Sequence, residues 1–297
     1  MKKSLLVLAL AAASAAHAAD DTITVALAGP ETGPVTQYGT IQKIGAEAAI
    51  DFINANGGMN GKKIVAKSYD DACEPKQAVT VANKIVADGV KFVIGHLCSA
   101  STMPAAEIYN EEGIVMITAA STSPEMSQKG YTTILRTIGT DLQSAPVSAA
   151  YIADVIKPKA IALLHDKQAY GQGLVDAVAA DLKKRGITPV IIEGVNKGQS
   201  DFSADPKNAA IVEAIKAKKQ DPNGPFVMPA YSAVQVLAEA ANRSKSDDPD
   251  TVAKELRKGE YETAIGKIAF EENGDLKDFH SVVYELHADG RKILKSQ

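Results

Sequence analysis

Tyr69-Asp-Asp-Ala-Cys73-Glu-Pro-Lys-Gln77, followed by Gly95-His-Leu-Cys98-Ser99, decides the reading of this chain. The two segments hold its only two cysteines. A predicted strand precedes each of them, Lys63–Tyr69 before Cys73 and Lys91–Gly95 before Cys98. In α/β proteins the loops at the carboxyl ends of parallel strands are where small molecules bind. In an oxidising compartment two strand-end cysteines are expected to pair. A Cys73–Cys98 bond would contribute about 3 kcal/mol by restricting the unfolded chain. The alternative is two buried free thiols.

The amino terminus supplies the compartment. Met1-Lys-Lys3 is followed by the apolar run Ser4 to Ser14 and then by Ala16-His-Ala18. A basic start, a short apolar core and an A-x-A site form an export signal, with cleavage expected after Ala18. The run is too short to span ~30 Å of hydrocarbon, which argues against an anchor. No later apolar run is long enough for a membrane span, and no cysteine stands where a lipid would attach. A soluble periplasmic protein is expected. Loss of Lys2 and Lys3 moves the formal charge from −4 to −6. That balance argues against nucleic acid as a partner, which calls for a basic face.

Outward from the cysteines the chain alternates strand and helix. Predicted strands are Thr22–Ala28, Lys63–Tyr69, Lys91–Gly95, Ile114–Thr118 and Thr133–Thr137. Between them run predicted helices Ile41–Asn56, Lys76–Asp88 and Ser101–Glu112, with glycine after each. A second set follows: helix Ala145–Ile156, strand Ala160–His165, helix Gly173–Arg185 and strand Thr188–Glu193. Such alternation predicts parallel sheets covered by helices on both faces. The 297 residues suggest two lobes rather than one. After Ala204 the rhythm breaks. Three helical patterns follow in a row, Asn208–Lys219, Val227–Arg243 and Pro249–Lys258, before the strands Gly266–Phe270 and Ser281–Leu286. The second lobe thus owns few strands for a stable parallel sheet.

Several longer motifs carry a family resemblance. They are Tyr69 to Ala78, Val81-Ala-Asn-Lys84, Val93 to Ser99, His165-Asp-Lys-Gln168 with Tyr170-Gly171, Lys216 to Pro222, and Asn273-Gly-Asp-Leu-Lys277. Together they resemble the periplasmic branched-chain amino-acid-binding proteins of ABC importers, over nearly all of the mature chain. The resemblance implies the two-lobed type I periplasmic binding fold, with the amino acid held between lobes. It divides the chain into a first lobe of residues 19–140 and 205–279 and a second of 141–204 and 280–297. It also exposes a departure. Between Ala204 and Asp205 this chain lacks roughly 70 residues, about half of one ordinary domain. In the family that segment carries a tyrosine and a Gly-Pro-Glu-Gly loop whose glutamate meets the ligand's ammonium group. The second lobe is therefore expected to be incomplete.

A free amino acid offers a carboxylate, an ammonium and a side chain. A carboxylate needs N–H donors at a helix start and nearby hydroxyls. The resemblance assigns that role to Ser99 and Thr122, with polar backbone at Ala120 and Ser121. It assigns the apolar wall to Tyr38, Leu97, Cys98, Tyr170 and Phe226. The bland alternatives are local turn capping for the hydroxyls and core packing for the rest. Tyr38 stands in a Gly-Pro-rich stretch that reads as a loop, where binding residues collect. The ammonium lacks its family acid, a loss of roughly 2–5 kcal/mol. Asp141, Asp166 and Glu193 are candidate substitutes, and no motif selects among them.

Other signals point elsewhere only weakly. Gly171-Gln-Gly173 opens like a dinucleotide fingerprint, but Asp176 occupies the third glycine's place. Asp70, Asp71 and Glu74 lack calcium-loop spacing, and no histidine pair has metal-ligand spacing. No nucleophile, base or metal constellation suggests an enzyme, and no cofactor or metal is expected. The reading is a solute-binding protein for leucine, isoleucine, valine and also alanine or threonine, serving an inner-membrane permease. Its rivals are a binding-impaired deletion remnant of that family, an enzyme in the cleft, and a receptor-type sensor domain.

Overall fold

Val25 and Leu27 on the first strand face one apolar core, while Ala26 and Ala28 face another. The same alternation recurs in Phe92 and Ile94 against Val93, and in Val115 and Ile117 against Met116. Successive side chains of a strand point to opposite faces, so these strands are buried on both sides. A computed structural model of the chain describes residues 22–195, 227–263, 265–279, 283–286 and 292–296. The expected leader (1–18), Phe226, the helix Asn208–Lys219 and the Lys216–Pro222 motif lie outside the described residues.

The larger lobe is a five-stranded parallel sheet in the order β2-β1-β3-β4-β5. Its strands are β1 (Thr22–Gly29), β2 (Lys63–Asp70), β3 (Phe92–Ile94), β4 (Val115–Thr118) and β5 (Ile134–Arg136). Helix α1 (Thr36–Ala55) covers one face together with α7 (Val227–Ser244) and α8 (Pro249–Lys258). Helices α2 (Pro75–Ala87) and α3 (Ser99–Glu111) cover the other, and α4 (Glu125–Gln128) is one short turn. The strand order reverses at β1, whose neighbours are β2 and β3. A crevice forms outside the carboxyl ends of strands at such a switch point.

The smaller lobe is built from α5 (Asp141–Ala150), a π-helical turn (Tyr151–Ile156), β6 (Ala162–His165), α6 (Ala169–Lys184) and β7 (Ile191–Gly194). Strands β6 and β7 pair in parallel. Ala145, Ala149, Val178 and Leu182 form its buried core. Val190, Ile191 and Ile192 remain 65%, 47% and 50% exposed, so one side of this pair is uncovered. Parallel strands ordinarily bury both faces. The described residues of this lobe form the shortened sheet that the broken rhythm implied. Two antiparallel pairs complete the described chain, β8 (Glu260–Thr263) with β9 (Gly266–Ala269) and β10 (Val283–Leu286) with β11 (Lys292–Ser296). The sequence reading missed β8 and β11. Glu260-Tyr-Glu-Thr263 has one buried residue, Tyr261, too short an apolar signal to read as a strand.

Four helices begin earlier than their apolar periodicity suggests. Helix α1 starts at Thr36, whose hydroxyl donates to Gly33 O at 2.6 Å. Tyr38 therefore stands in its first turn and not in a loop. Helix α3 starts at Ser99 and α6 at Ala169, which puts Ser99 and Tyr170 at helix starts. Helix α5 starts at Asp141 behind a capping box. Gln143 N–H donates to the Thr140 hydroxyl, and Thr140 N–H donates to Gln143 Oε1 at 2.7 Å. The first turns carry polar residues, so hydrophobic spacing does not reach them.

Candidate functional site

The loops that leave β1, β2, β3 and β4 converge at the carboxyl edge of the larger sheet. Asp70, the last residue of β2, pins the first of them. Its carboxylate accepts from the N–H groups of Glu31 (2.9 Å) and Thr32 (3.2 Å) and from the Thr32 hydroxyl (2.5 Å). Burial raises the Asp70 carboxyl. The Thr32 hydroxyl and the N–H groups of Ala72, Glu31 and Thr32 outweigh it, and the net shift is downward. The residue stays charged and holds the loop that leads to Tyr38.

Cys73 and Cys98 are bonded, with their Cα atoms 5.5 Å apart. Ala72 and Cys73 take left-handed backbone, φ 48° and 58°. That conformation is costly for side-chain-bearing residues. Two Asx bonds hold it: Ala72 N–H donates to Asp70 and Cys73 N–H to Asp71, each at 2.9 Å. Cys73, Leu97 and Ala120 pack as a small apolar cluster with Val35 and Cys98 against them.

Beneath this cluster lies a buried polar network. His96 Nδ1 is 2.5 Å from Asp71 Oδ2 and His96 Nε2 is 3.0 Å from the Tyr109 hydroxyl. None of the three side chains reaches solvent. Desolvation, with Asp71 next, pushes the Tyr109 hydroxyl far above its ordinary pKa. Tyr109 therefore keeps its proton and donates to Nε2. His96 in turn carries its proton on Nδ1 and donates to Asp71. The backbone carbonyl of His96 accepts from the Thr118 hydroxyl at 2.7 Å. Thr118 Oγ1 accepts from Ser121 N–H at 3.0 Å. One chain of hydrogen bonds thus joins the ends of β2, β3 and β4.

Arg136 holds the loop after β4 from below. Its guanidinium is fully buried and donates to Ser121 O (2.9 Å) and Ser123 O (3.0 Å). Its Nε lies 2.8 Å from Asp275 Oδ1. Burial lowers the Arg136 pKa, while Asp275 and Asp141 oppose that shift.

Ser99 and Thr122 show how the loops present hydroxyls. Ser99 Oγ accepts from the Ser121 hydroxyl (3.2 Å) and from Ser123 N–H (3.3 Å). With both lone pairs engaged, its proton is left to donate. It sits at the first residue of the 13-residue α3, where free N–H groups and the helix dipole favour an anion. Thr122 accepts Asp141 N–H at its carbonyl (3.0 Å), and its buried hydroxyl completes no hydrogen bond of normal geometry. Asp141 itself is buried. Desolvation raises its carboxyl, while Thr122 and Arg136 pull it back.

A cavity of about 520 Å³ opens at this edge, within the range of small-molecule sites. Tyr38, Leu97, Cys98, Ser99, Ala120 and Thr122 line it from the larger lobe and Tyr170 from the smaller. Ser121 does not line it. It is buried and acts through Ser99. Val35, Ala100, Ile138, Asp166 and Gln168 also line it and were not foreseen as site residues, although Asp166 had been weighed for the ammonium. The His165-Asp-Lys-Gln168 motif was the available signal for the last two. Tyr170 is half-exposed. Partial burial raises its hydroxyl pKa, with Asp141, Asp166 and Tyr38 adding to the shift, so tyrosines of both lobes meet here. Among the described residues, no group of three or more His, Cys, Asp or Glu is placed to hold a metal ion.

This chain is similar to proteins of one family. The sequence profile described as "Periplasmic binding protein" matches residues 22–205 and 203–290, in two segments that meet at 203–205. The Leucine-, isoleucine-, valine-, threonine-, and alanine-binding protein of Pseudomonas aeruginosa is 41% identical over 355 aligned positions, covering 96% of this chain and 95% of that one. The Leu/Ile/Val-binding protein of Escherichia coli K12 is 40% identical over 358, with 97% of each covered. Both alignments are longer than the 297 residues of this chain, so they contain gaps on its side. A leucine-binding protein of Thermotoga maritima shares the fold with a TM-score of 0.79 at 20% identity, covering 92% of this chain and 98% of that one. A branched-chain amino acid substrate-binding protein of Streptococcus pneumoniae, solved with isoleucine, does so at 0.77 and 19%, covering 93% and 100%. The profile spans most of the chain and the curated relatives align almost end to end, so this chain belongs to the periplasmic binding protein family.

Proposed function

We propose that this chain is the periplasmic solute-binding component of an ABC importer and takes small aliphatic amino acids, leucine, isoleucine and valine first. The observation that carries this reading is the Ser99 hydroxyl. Its lone pairs are engaged from behind, its proton is free, and it opens α3 beside the apolar wall of Leu97, Ala120 and the disulfide. A carboxylate fits the first feature and an aliphatic side chain the second. Thr122 adds a second hydroxyl, Tyr38 and Tyr170 close the wall from either lobe, and Phe226 is assigned to the same wall. The names of relatives about 40% identical support the ligand class.

Function then follows from bridging. A ligand held by both lobes favours the closed arrangement, which an inner-membrane permease recognises. No covalent step is involved. The lobes divide as 19–140 with 205–279, and 141–204 with 280–297, and the leader is removed after Ala18. Isothermal titration against a panel of leucine, isoleucine, valine, alanine and threonine tests the reading. Saturable heat with a ligand-dependent rise in melting temperature is expected.

A second reading is a binding-impaired remnant in which residues between Ala204 and Asp205 have been lost. The uncovered strands of the smaller lobe and the profile's break at 203–205 favour it. It requires no heat and no thermal shift with any amino acid of the panel.

A further inference from the structure

We propose that Asp166 is the acceptor for the ligand's ammonium group, which makes the smaller lobe the source of the counter-charge. The inference rests on the amino-acid-binding reading above and extends it to a residue with no assigned role.

Asp166 is the one carboxylate among the described residues lining the cavity, and no lysine or arginine lines it. It stands just beyond β6, in the loop that opens α6. Ser99 and Thr122 line the same cavity from the larger lobe. A zwitterion whose carboxylate rests on α3 needs a negative group elsewhere on the wall, and Asp166 supplies it. The local structure keeps that group in place. Asp166 Oδ1 accepts Gln168 N–H at 3.0 Å, which fixes the rotamer and places the carboxylate at the start of a 16-residue helix. Gly171 is needed for this arrangement, because a Cβ there would collide with Asp166 Oδ1. The bond to Gln168 engages Oδ1 and leaves Oδ2 as a second acceptor at the cavity wall.

The other two acids fit less well. Asp141 is buried behind Thr122, feels Arg136 and does not line the cavity. Glu193 lies on β7, paired with Leu164, and does not line it either. With Asp166 as acceptor, one ligand would be gripped by charge from one lobe and by hydroxyls from the other. Binding is then coupled to closure without any loop beyond the described residues.

The test is isothermal titration of the full chain and of Asp166→Asn, Asp166→Glu and Asp141→Asn, with leucine and with 4-methylpentanoate, which is leucine without its amine. Asparagine keeps the acceptor for Gln168 N–H, so the loop should fold, and an unchanged melting temperature verifies it. The expected result is leucine binding weakened about tenfold or more in Asp166→Asn, because Asp166 is exposed in the free chain and loses solvent only when the ligand is held. Asp166→Glu should recover part of it, and 4-methylpentanoate should bind Asp166→Asn as well as it binds the parent. Leucine binding within about threefold of the parent in Asp166→Asn overturns the proposal. So does an equal loss for 4-methylpentanoate, or a dominant loss in Asp141→Asn instead. If the parent chain binds no amino acid, the function itself fails, a result distinct from a parent that binds and a variant that binds equally.

Discussion

His96 donates from Nδ1 to Asp71 Oδ2 across 2.5 Å at a point where neither side chain meets solvent. The pair sits directly under the disulfide loop and ties β2 to β3. Removing one member leaves the other buried without its partner. A buried polar group left without its partner costs roughly 1–3 kcal/mol. His96→Ala should therefore lower the thermal midpoint by several degrees or more, as calorimetry would read. The double variant His96→Phe with Asp71→Leu should lose less than the sum of the two single changes. An additive double variant would show the pair to be uncoupled.

The disulfide makes a second prediction. Cys73 and Cys98 are 25 residues apart, and a loop of that length gives about 3.5 kcal/mol in the chain-entropy account. Cys73→Ser with Cys98→Ser should lower the unfolding free energy by that order, with a lower urea midpoint and a steeper slope, because the unbridged unfolded chain exposes more surface. Because Cys98 immediately precedes Ser99, leucine binding should weaken as well. Unchanged affinity in the serine pair would show that α3 is positioned without the bond.

Ser99→Ala removes the hydroxyl proposed to hold the ligand's carboxylate. A hydrogen bond to a charged group contributes roughly 1.5–3 kcal/mol, so leucine affinity should fall about ten- to a hundredfold. Titration calorimetry measures this directly. An alanine variant that binds leucine as the parent does would move the carboxylate elsewhere in the cavity.

Arg136 acts at one remove from the ligand. Arg136→Lys keeps the charge but cannot reach Ser121 O, Ser123 O and Asp275 together. The Ser121–Ser123 turn should slacken, with affinity and melting temperature falling together. A fall in melting temperature alone would confine Arg136 to packing.

Acid titration should separate two carboxylates of opposite sign. Asp88 accepts from Lys67 and from the Tyr69 hydroxyl, and its pKa is lowered to about 2, with Lys67 the largest cause. Its folded value is below its unfolded one, so its stabilisation is present above about pH 4 and lost as pH falls toward 2. Asp141 has a raised value because burial disfavours its charge. Its contribution is destabilising above the raised pKa and vanishes below the ordinary carboxyl value. Asp88→Asn should flatten the acid limb of a stability–pH curve between pH 4 and 2. Asp141→Asn should do the opposite, raising stability near neutrality with no gain at pH 3. The same sign in both variants would overturn this assignment.

The strands were the most legible part of the chain. Runs such as Lys63–Tyr69 and Ile114–Thr118 are apolar because both faces of the sheet are covered, and coverage is written in composition. The expected pairing of the two strand-end cysteines, against free thiols, is met by the Cys73–Cys98 bond. Helix starts were not legible. Tyr38, Ser99, Asp141 and Tyr170 all stand in first turns, where apolar spacing says nothing. Of these four starts only that at Asp141 carries a side-chain cap, from Thr140.

By itself, then, the sequence determined the alternating layers, the cysteine pair and the two hydroxyls at strand ends. Those follow from local pattern and residue chemistry. Only the tertiary structure decided that Ser121 works through Ser99, and that Arg136 and the Asp71–His96–Tyr109 chain hold three loops in register. It alone selected Asp166 from three acids as the one lining the cavity. Such choices depend on distances between residues far apart along the chain, which no local pattern encodes.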